Sequence, residues 1–185
     1  MLKLRKAGAK IIALCICIPA LIVGAGASTA SATGTYYFLK NTNSTNECMA
    51  VGAASANNGA GVIQWDCTNG ATEQYWSLNQ LPSKIVNGET YYHVVNSNST
   101  AVRGTPMCLA VPGGTTAWNT QLMQWPCGDW NDHWWTLVAN PTYGGWELKN
   151  LNGLCAAVGA GSHVSGAAVI QWGCDAGPEQ TWFQP

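Results

Sequence analysis

The chain has 185 residues and little charge, with 8 Lys and Arg against 9 Asp and Glu. Four of the basic residues precede residue 11, so the chain beyond residue 32 keeps four basic residues against nine acidic ones, a net charge of −5. This balance argues against nucleic acid as a partner, because phosphate-backbone binding needs clustered Lys and Arg, and base stacking on single strands needs a cationic groove.

Residues 1–32 have the three-part layout of a secretory signal peptide. A basic start is followed by an uncharged apolar run from Ile11 to Ala27 and by the small-residue sequence Ala30-Ser31-Ala32. The alternative is a retained membrane anchor, but the apolar run is short for a bilayer span. We therefore predict cleavage after Ala32, an extracellular protein that does not stay attached to the membrane, and one domain over residues 33–185.

The sequence beyond residue 32 predicts an all-β fold. Short runs rich in Val, Ile, Tyr, Trp and Thr are separated by Gly, Asn, Ser and Pro, and no long apolar period of 3.6 residues is present. Three runs correspond to one another, at residues 37–41, 92–96 and 146–150. Each opens one unit of an internal repeat, and the units span about residues 36–80, 91–139 and 145–185.

The cysteines of the three units share one spacing of 19 residues. The pairs are Cys48 and Cys67, Cys108 and Cys127, and Cys155 and Cys174. Six thiols allow about 15 full pairings, and the shared spacing selects pairing within each unit, with roughly 3 kcal/mol of stabilisation from each disulfide in the chain-entropy model. We expect no metal or cofactor, because the alternative of a zinc site is disfavoured by the lack of any Cys-x-x-Cys pair and by only three His.

A tryptophan also recurs at the end of each unit, as Trp76, Trp135 and Trp182. One unit is too small to bury a core alone, and closing three units into a barrel would remove exposed strand edges. We therefore predict that these three indoles point into a shared core.

The closing motifs carry a family resemblance. Gln74-Tyr75-Trp76 and Gln180-Thr181-Trp182 match a Gln-x-Trp signature, and the middle unit departs from it with His133-Trp134-Trp135. The chain from about Tyr36 to Phe183 thus resembles the ricin B-chain-like lectins, which are β-trefoils with three such signatures. This resemblance implies six barrel strands, six more strands in hairpins that cap one end, and three pseudo-symmetric repeats.

The resemblance also implies one shallow sugar pocket per repeat, for galactose-type or xylan-type carbohydrate. The implied stacking platforms are Trp65, Trp125 and Trp172, whose alternative role is packing under a loop. The implied hydroxyl-binding groups are Glu73, Asp132 and Glu179, which stand where the family usually has Asn, together with the adjacent Gln74, His133 and Gln180. A carboxylate can accept hydrogen bonds from two sugar hydroxyls.

The sequence departs from the family pattern at two sets of positions. Alanine replaces the family's sugar-contacting Asp at Ala50, Ala110 and Ala157, and glutamine directly precedes each platform Trp at Gln64, Gln124 and Gln171. Because strand residues alternate between faces, each of these glutamines should point away from its Trp. Trp118, Trp130 and Trp134 are expected either to widen the pocket of Trp125 or to pack the longer loops of the middle unit.

These features predict a secreted, monomeric lectin that binds carbohydrate. The alternative is a β-trefoil that binds a protein, such as a protease inhibitor, but no single long, charged loop is present to support it. We do not expect an enzyme, because Asp129 and Asp132 lie in no recognisable acid/base frame. The three histidines likewise have no Ser or Cys nucleophile beside them.

Overall fold

The computed structural model describes residues 34–184. The predicted signal peptide at residues 1–32 lies outside the described residues, so cleavage after Ala32 stays a prediction. No helix within residues 34–184 has the length and apolar character needed to cross a bilayer.

The described chain contains short strands arranged in three similar sets. The first repeat contains β1 (Tyr37–Phe38), β2 (Lys40–Asn41), β3 (Glu47–Val51), β4 (Val62–Asp66) and β5 (Tyr75–Ser77). A hairpin of β6 (Lys84–Val86) and β7 (Glu89–Tyr91) follows. The second repeat contains β8 (Val95–Asn96), α1 (Ser97–Arg103), β9 (Met107–Ala110), β10 (Thr120–Gln121), β11 (Met123–Pro126) and β12 (Trp135–Asn140). The third repeat contains β13 (Gly145–Asn150), β14 (Leu154–Val158), β15 (Val169–Gly173) and β16 (Thr181–Phe183).

The three repeats close on one another in a ring. A bridge between Gly61 and Met123 joins the first repeat to the second, pairing of β10 with β15 joins the second to the third, and a bridge between Ile63 and Ala168 joins the third to the first. Pairing of β16 with β2 adds to this last junction. Backbone pairing thus links the three repeats to one another, and the all-β, three-repeat prediction is confirmed.

The core consists of five sets of three equivalent side chains, with one member of each set from each repeat. The sets are Leu39, Val94 and Leu148; Met49, Leu109 and Ala156; Val51, Val111 and Val158; Val62, Leu122 and Val169; and Trp76, Trp135 and Trp182. The prediction that the three closing indoles point inward is confirmed, since each is at most 1% exposed. Each indole N–H donates to a backbone carbonyl at 2.9–3.0 Å, on Met49, Leu109 and Ala156 in turn.

The predicted disulfides are all formed, and each links the two strands of one hairpin. The hairpins are β3–β4, β9–β11 and β14–β15, and the Cα–Cα separations within the cystines are 5.1, 5.0 and 5.1 Å. The first cysteine of each pair lies directly across the ladder from a platform tryptophan, as Cys48 does from Trp65. The cross-link therefore fixes the hairpin at the position from which the platform indole projects.

The helix α1 is the element that the sequence did not predict. The Asn96 side chain accepts a hydrogen bond from the Asn98 N–H at 3.1 Å at its start, and Gly104, with a φ of 65°, ends it. Asn at the N-cap and Gly just past the end are strong local signals for a helix. Seven residues are too few to show an apolar period, so periodicity alone could not reveal it.

Candidate functional site

Each repeat carries one open pocket at an equivalent place, with a volume of about 250 Å³ in the first repeat, 450 Å³ in the second and 420 Å³ in the third. The first pocket is lined by Ala50, Val51, Ala53, Ala54, Ile63, Trp65 and Glu73. The second is lined by Val111, Pro112, Gly113, Gly114, Met123, Trp125, Trp130, Asp132 and His133. The third is lined by Asn119, Ala157, Val158, Ala160, Gly161, Ile170, Trp172 and Glu179.

The platform tryptophans form one wall of each pocket. Trp65 is 48% exposed and Trp125 is 37% exposed, whereas Trp172 is half-buried. The residue two positions earlier on the same strand, Ile63, Met123 or Ile170, lies on the same face and extends the apolar wall. Each pocket thus offers a flat aromatic ring with an aliphatic neighbour, which suits an apolar ligand face.

A carboxylate faces the tryptophan in each pocket, and the three carboxylates differ in how firmly they are held. Asp132 is buried, and its Oδ2 accepts a hydrogen bond from the Val111 N–H at 3.0 Å, while its Oδ1 lies beside Gly114 at the pocket edge. Glu73 and Glu179 are half-buried. The second pocket therefore has a fixed acceptor, and the first and third have longer acceptors with more freedom.

A tight loop closes the other side of each pocket. Its two central residues have positive φ, at 54° and 48° for Ala53 and Ala54 in the first repeat and at 54° and 58° for Ala160 and Gly161 in the third. The second repeat has glycines at these positions. Non-glycine residues held in this left-handed region cost of order 1–3 kcal/mol each, and such strain clusters at ligand sites. The left-handed turn thus recurs in all three repeats, with strain at the alanines of the first and third and none at the glycines of the second.

Comparisons with known proteins agree with this geometry. The family profile described as ricin-type beta-trefoil lectin domain-like matches residues 26–125, and the ricin-type beta-trefoil lectin domain profile matches residues 98–185. The chain belongs to the ricin-type β-trefoil lectin family. No curated protein sequence matches it significantly. Membership supports carbohydrate binding and a non-catalytic role for this ricin-type trefoil.

Solved structures share the fold of this ricin-type trefoil. The designed threefold-symmetric protein ThreeFoil is 28% identical, with a TM-score of 0.68, and the match covers 80% of this chain and 96% of that one. The C-half of the earthworm R-type lectin, solved with GalNAc, is 14% identical, with a TM-score of 0.56 and coverage of 80% and 95%. An exo-β-1,3-galactanase from Clostridium thermocellum is 22% identical, with a TM-score of 0.67, but the match covers only 30% of that enzyme and 82% of this chain.

The glutamines that precede the platform tryptophans hold the trefoil's pocket loops from the opposite face of the strand. All three are fully buried, and each Nε2 donates to two loop carbonyls of a neighbouring repeat. Gln64 binds Ser162 and Val164, Gln124 binds Ser55 and Asn57, and Gln171 binds Thr115 and Ala117, at distances of 2.7–3.0 Å. Strand alternation therefore explains why the glutamine points away from its Trp.

Gln74 and Gln180 belong to the scaffold of the trefoil and do not line its pockets. Gln74 accepts from the Thr68 N–H at 2.8 Å and donates to the Asp66 carbonyl at 3.0 Å, and it is 1% exposed. Gln180 makes the equivalent bonds to Asp175 and Gly173. Both side-chain amides are therefore committed to the backbone, so the expectation that these two glutamines contact a sugar is corrected.

His133 occupies the equivalent position in the middle repeat but behaves differently. Its Nδ1 accepts from the Gly128 N–H at 3.3 Å, so Nε2 carries the proton and lies 3.6 Å from Oδ2 of Asp132. An imidazole makes one of the two backbone bonds that a Gln makes, which leaves its second nitrogen for the pocket. Burial lowers the pKa of His133 below its usual value, so the neutral form is favoured.

The additional tryptophans of the middle repeat do not act together. Trp130 is 56% exposed and lines the second pocket. Trp134 is buried, with Lys84 Nζ 4.4 Å from its ring centre and the His93 ring at 3.8 Å. Trp118 lies beside Trp172 of the third repeat, with ring centres 5.0 Å apart. Of the three, only Trp130 therefore widens the pocket of Trp125.

The replaced family aspartates leave small apolar side chains. Ala50 and Ala157 lie on the walls of the first and third pockets, and Ala110 is fully buried. The side-chain carboxylates that line these pockets therefore come from the later turn that carries Glu73, Asp132 or Glu179.

Glu147 also lies near Cys155 and Cys174, but both sulfurs are bonded to each other and offer no thiolate to a metal.

Proposed function

We propose that this protein is a secreted lectin that binds galactose-type or xylan-type polysaccharide through three shallow pockets, one in each repeat. The observation that carries the proposal is the pairing of an indole that lines an open pocket with a carboxylate, at equivalent places in all three repeats. A pyranose presents an apolar C–H face and a rim of hydroxyls, and this pairing complements both. A chain with three disulfides also suits an oxidising extracellular environment.

In each pocket the apolar sugar face would lie on the indole and its aliphatic neighbour, where burial of both surfaces supplies the main attraction. The carboxylate then accepts hydrogen bonds from ring hydroxyls, and bonds to a charged acceptor are stronger than neutral ones. In the second pocket Asp132 is already fixed by the Val111 N–H, so little side-chain freedom is lost on binding. We therefore expect the second pocket to bind a single sugar most tightly.

The lectin would act as a monomer on a repeating ligand. A shallow pocket binds one sugar weakly, but three pockets on one rigid trefoil can engage the same polysaccharide, and such linkage raises overall avidity well above that of one site. The proposed ligand class is consistent with the similar structures, of which one was solved with GalNAc and another is a galactanase. A long, repeating chain suits this mode of binding better than a free monosaccharide.

A glycan array, supplemented with immobilised galactans and xylans, tests this proposal. We expect the immobilised polysaccharide of one of these two classes to retain the purified protein. Trp65→Ala, Trp125→Ala and Trp172→Ala should each weaken retention. Trp146→Ala is the matched control, because Trp146 is 40% exposed but lies outside the three pockets. The proposal fails if no glycan is bound, or if the control weakens retention as much as the pocket variants do.

A further inference from the structure

The third pocket continues into an exposed indole, Trp118, which a loop of the second repeat carries to its edge. Trp118 is 58% exposed and its ring centre lies 5.0 Å from that of Trp172, with the ring planes at 48°. Trp172 lines the third pocket, whereas Trp118 lies just outside it. The equivalent loop position is Asn58 in the first repeat and Ser165 in the third. The neighbouring loop therefore supplies an indole only to the third pocket, whereas the added indole of the second pocket, Trp130, precedes its own Asp132 turn.

The loop that carries Trp118 is held in place by the strand that carries Trp172. Gln171, the residue before Trp172, donates from Nε2 to the carbonyl of Ala117 at 2.7 Å and accepts at its own carbonyl from the Asn119 N–H at 3.0 Å. The residues on both sides of Trp118 are thus bonded to one residue of β15. Because the loop is fixed before any ligand arrives, Trp118 can contribute to binding without the cost of ordering a loop.

A glycine makes room for the second indole. A Cβ on Gly173 would lie 2.8 Å from Cζ2 of Trp118, which is closer than two carbon atoms can approach without movement. The equivalent residues after the other platform tryptophans are Asp66 and Pro126, which both carry side chains. Beside the first platform, Ser165 of the third repeat stands at the position equivalent to Trp118, and its Oγ accepts a hydrogen bond from the Asp66 N–H at 3.0 Å. The third site thus differs from the first at both contacting positions.

We propose that Trp118 is a second stacking platform, so that the third site binds two consecutive units of a saccharide chain. One unit lies on Trp172 and its hydroxyls face Glu179, and the next unit leaves the pocket and lies on Trp118. The tilt of 48° between the rings suits a chain whose successive units are rotated relative to each other, whereas a flat aromatic ligand would need parallel platforms. This inference rests on the proposed lectin function and makes the third site selective for chain length.

The test isolates the third site by using Trp65→Ala/Trp125→Ala as the parent protein. Calorimetric titration then compares the monosaccharide, disaccharide and trisaccharide of the polysaccharide that the array selects. We expect affinity to rise roughly three- to tenfold from one unit to two, the gain that one aromatic contact supplies, and to change little with the third unit. Adding Trp118→Ala should abolish this gain and leave monosaccharide affinity within about twofold.

Two further variants separate binding from folding. Gly173→Ala keeps both indoles but displaces Trp118, and it should abolish the same gain. Asn58→Ala changes the equivalent position in the loop of the first repeat, which does not belong to the third site. It should leave the gain in affinity intact. The inference is overturned if Trp118→Ala keeps the gain, or if it reduces monosaccharide and disaccharide affinity equally. Failure of the parent and of the unaltered protein to bind any saccharide would overturn the proposed function as well.

Discussion

The side-chain amide of Gln124 in the second repeat donates a 2.8 Å hydrogen bond to the carbonyl oxygen of Ser55 in the first repeat. Ser55 ends the strained turn that carries Ala53 and Ala54 on the wall of the first pocket. Gln124 is also the neighbour of Trp125, whose ring belongs to the second pocket. One strand therefore presents a ligand platform on one face and supports the next pocket from the other.

Gln124→Ala should weaken the first pocket more than the second. The change removes two partly buried hydrogen bonds, to the carbonyls of Ser55 and Asn57, so we expect a loss of about 1–3 kcal/mol in the free energy of unfolding. Urea denaturation measures that loss, and titration of single-pocket variants measures binding. Gln121→Ala is the control, because Gln121 is exposed and makes one bond, to the Val62 carbonyl. A variant that impairs only the second pocket would contradict this coupling.

Asp132 and Glu73 should respond differently to truncation. Asp132→Ala leaves the buried Val111 N–H without its acceptor, which should cost about 1–3 kcal/mol of stability. Glu73→Ala, at a half-buried position, should cost about 0.5 kcal/mol or less. Both changes should lower saccharide affinity in their own pockets, and thermal denaturation beside titration checks both effects. Equal stability losses for the two variants would show that Asp132 is not held as described.

Ala160→Gly should stabilise the protein. Ala160 has a φ of 54°, where a Cβ is unfavourable by about 1–2 kcal/mol, and glycine has no Cβ. We expect a gain of about 1 kcal/mol in the free energy of unfolding, offset in part by the greater freedom of glycine in the unfolded chain. Ala168→Gly, at a nearby position with ordinary φ, should instead destabilise slightly. Stabilisation by the second change but not the first would contradict the strain argument.

Stability should fall on acidification through the two histidines around Gly128. Burial lowers the pKa of His93 and of His133, so below about pH 6.5 the unfolded chain takes up protons before the folded one does. This contribution to stability is complete above that pH and is lost as the pH falls toward the lowered pKa values. Protonation of Nδ1 in His133 would also break its bond from the Gly128 N–H.

Charged groups near these two histidines both raise and lower their pKa values. Asp132 faces His133 and raises its pKa, and Lys84 and Asp129 lie near His93 and shift its pKa down and up, but burial is the largest cause for both histidines. His133→Gln reproduces the arrangement of the other repeats and should flatten the fall in stability between pH 7.5 and 5. His163→Gln, at an exposed position, is the control. Denaturant titrations across this range that show no difference between the two variants would contradict the assignment.

The sequence predicts the elements that one repeat determines by itself. The spacing of Cys48 and Cys67 and its two copies gave the correct disulfides, because each cystine joins the strands of one hairpin. The repeat also predicts that Trp76 and its counterparts lie in the core, because a large aromatic in each of three small units can be buried only in a shared core. These features depend on local spacing and on burial, and both can be read from the residues.

Contacts between repeats could not be predicted in the same way. Trp118 lies in the second repeat but packs against Trp172 of the third, because closure of the ring brings each loop to the next repeat's platform. Gln74 is itself a predicted sugar contact, yet its side-chain amide bonds the Thr68 N–H and the Asp66 carbonyl. Register across the ring and competition from backbone groups decide these cases, and neither is visible as a spacing within one repeat.

Isothermal titration of the triple variant Trp65→Ala/Trp125→Ala/Trp172→Ala with the polysaccharide selected by the array tests the central claim most directly. Trp146→Ala serves as the control, and near-ultraviolet circular dichroism verifies that the core indoles keep their packing. We predict that the triple variant loses at least roughly 100-fold in affinity, about one aromatic contact from each pocket together with the avidity of three sites. A folded triple variant that binds the polysaccharide as tightly as the unaltered protein would contradict the account.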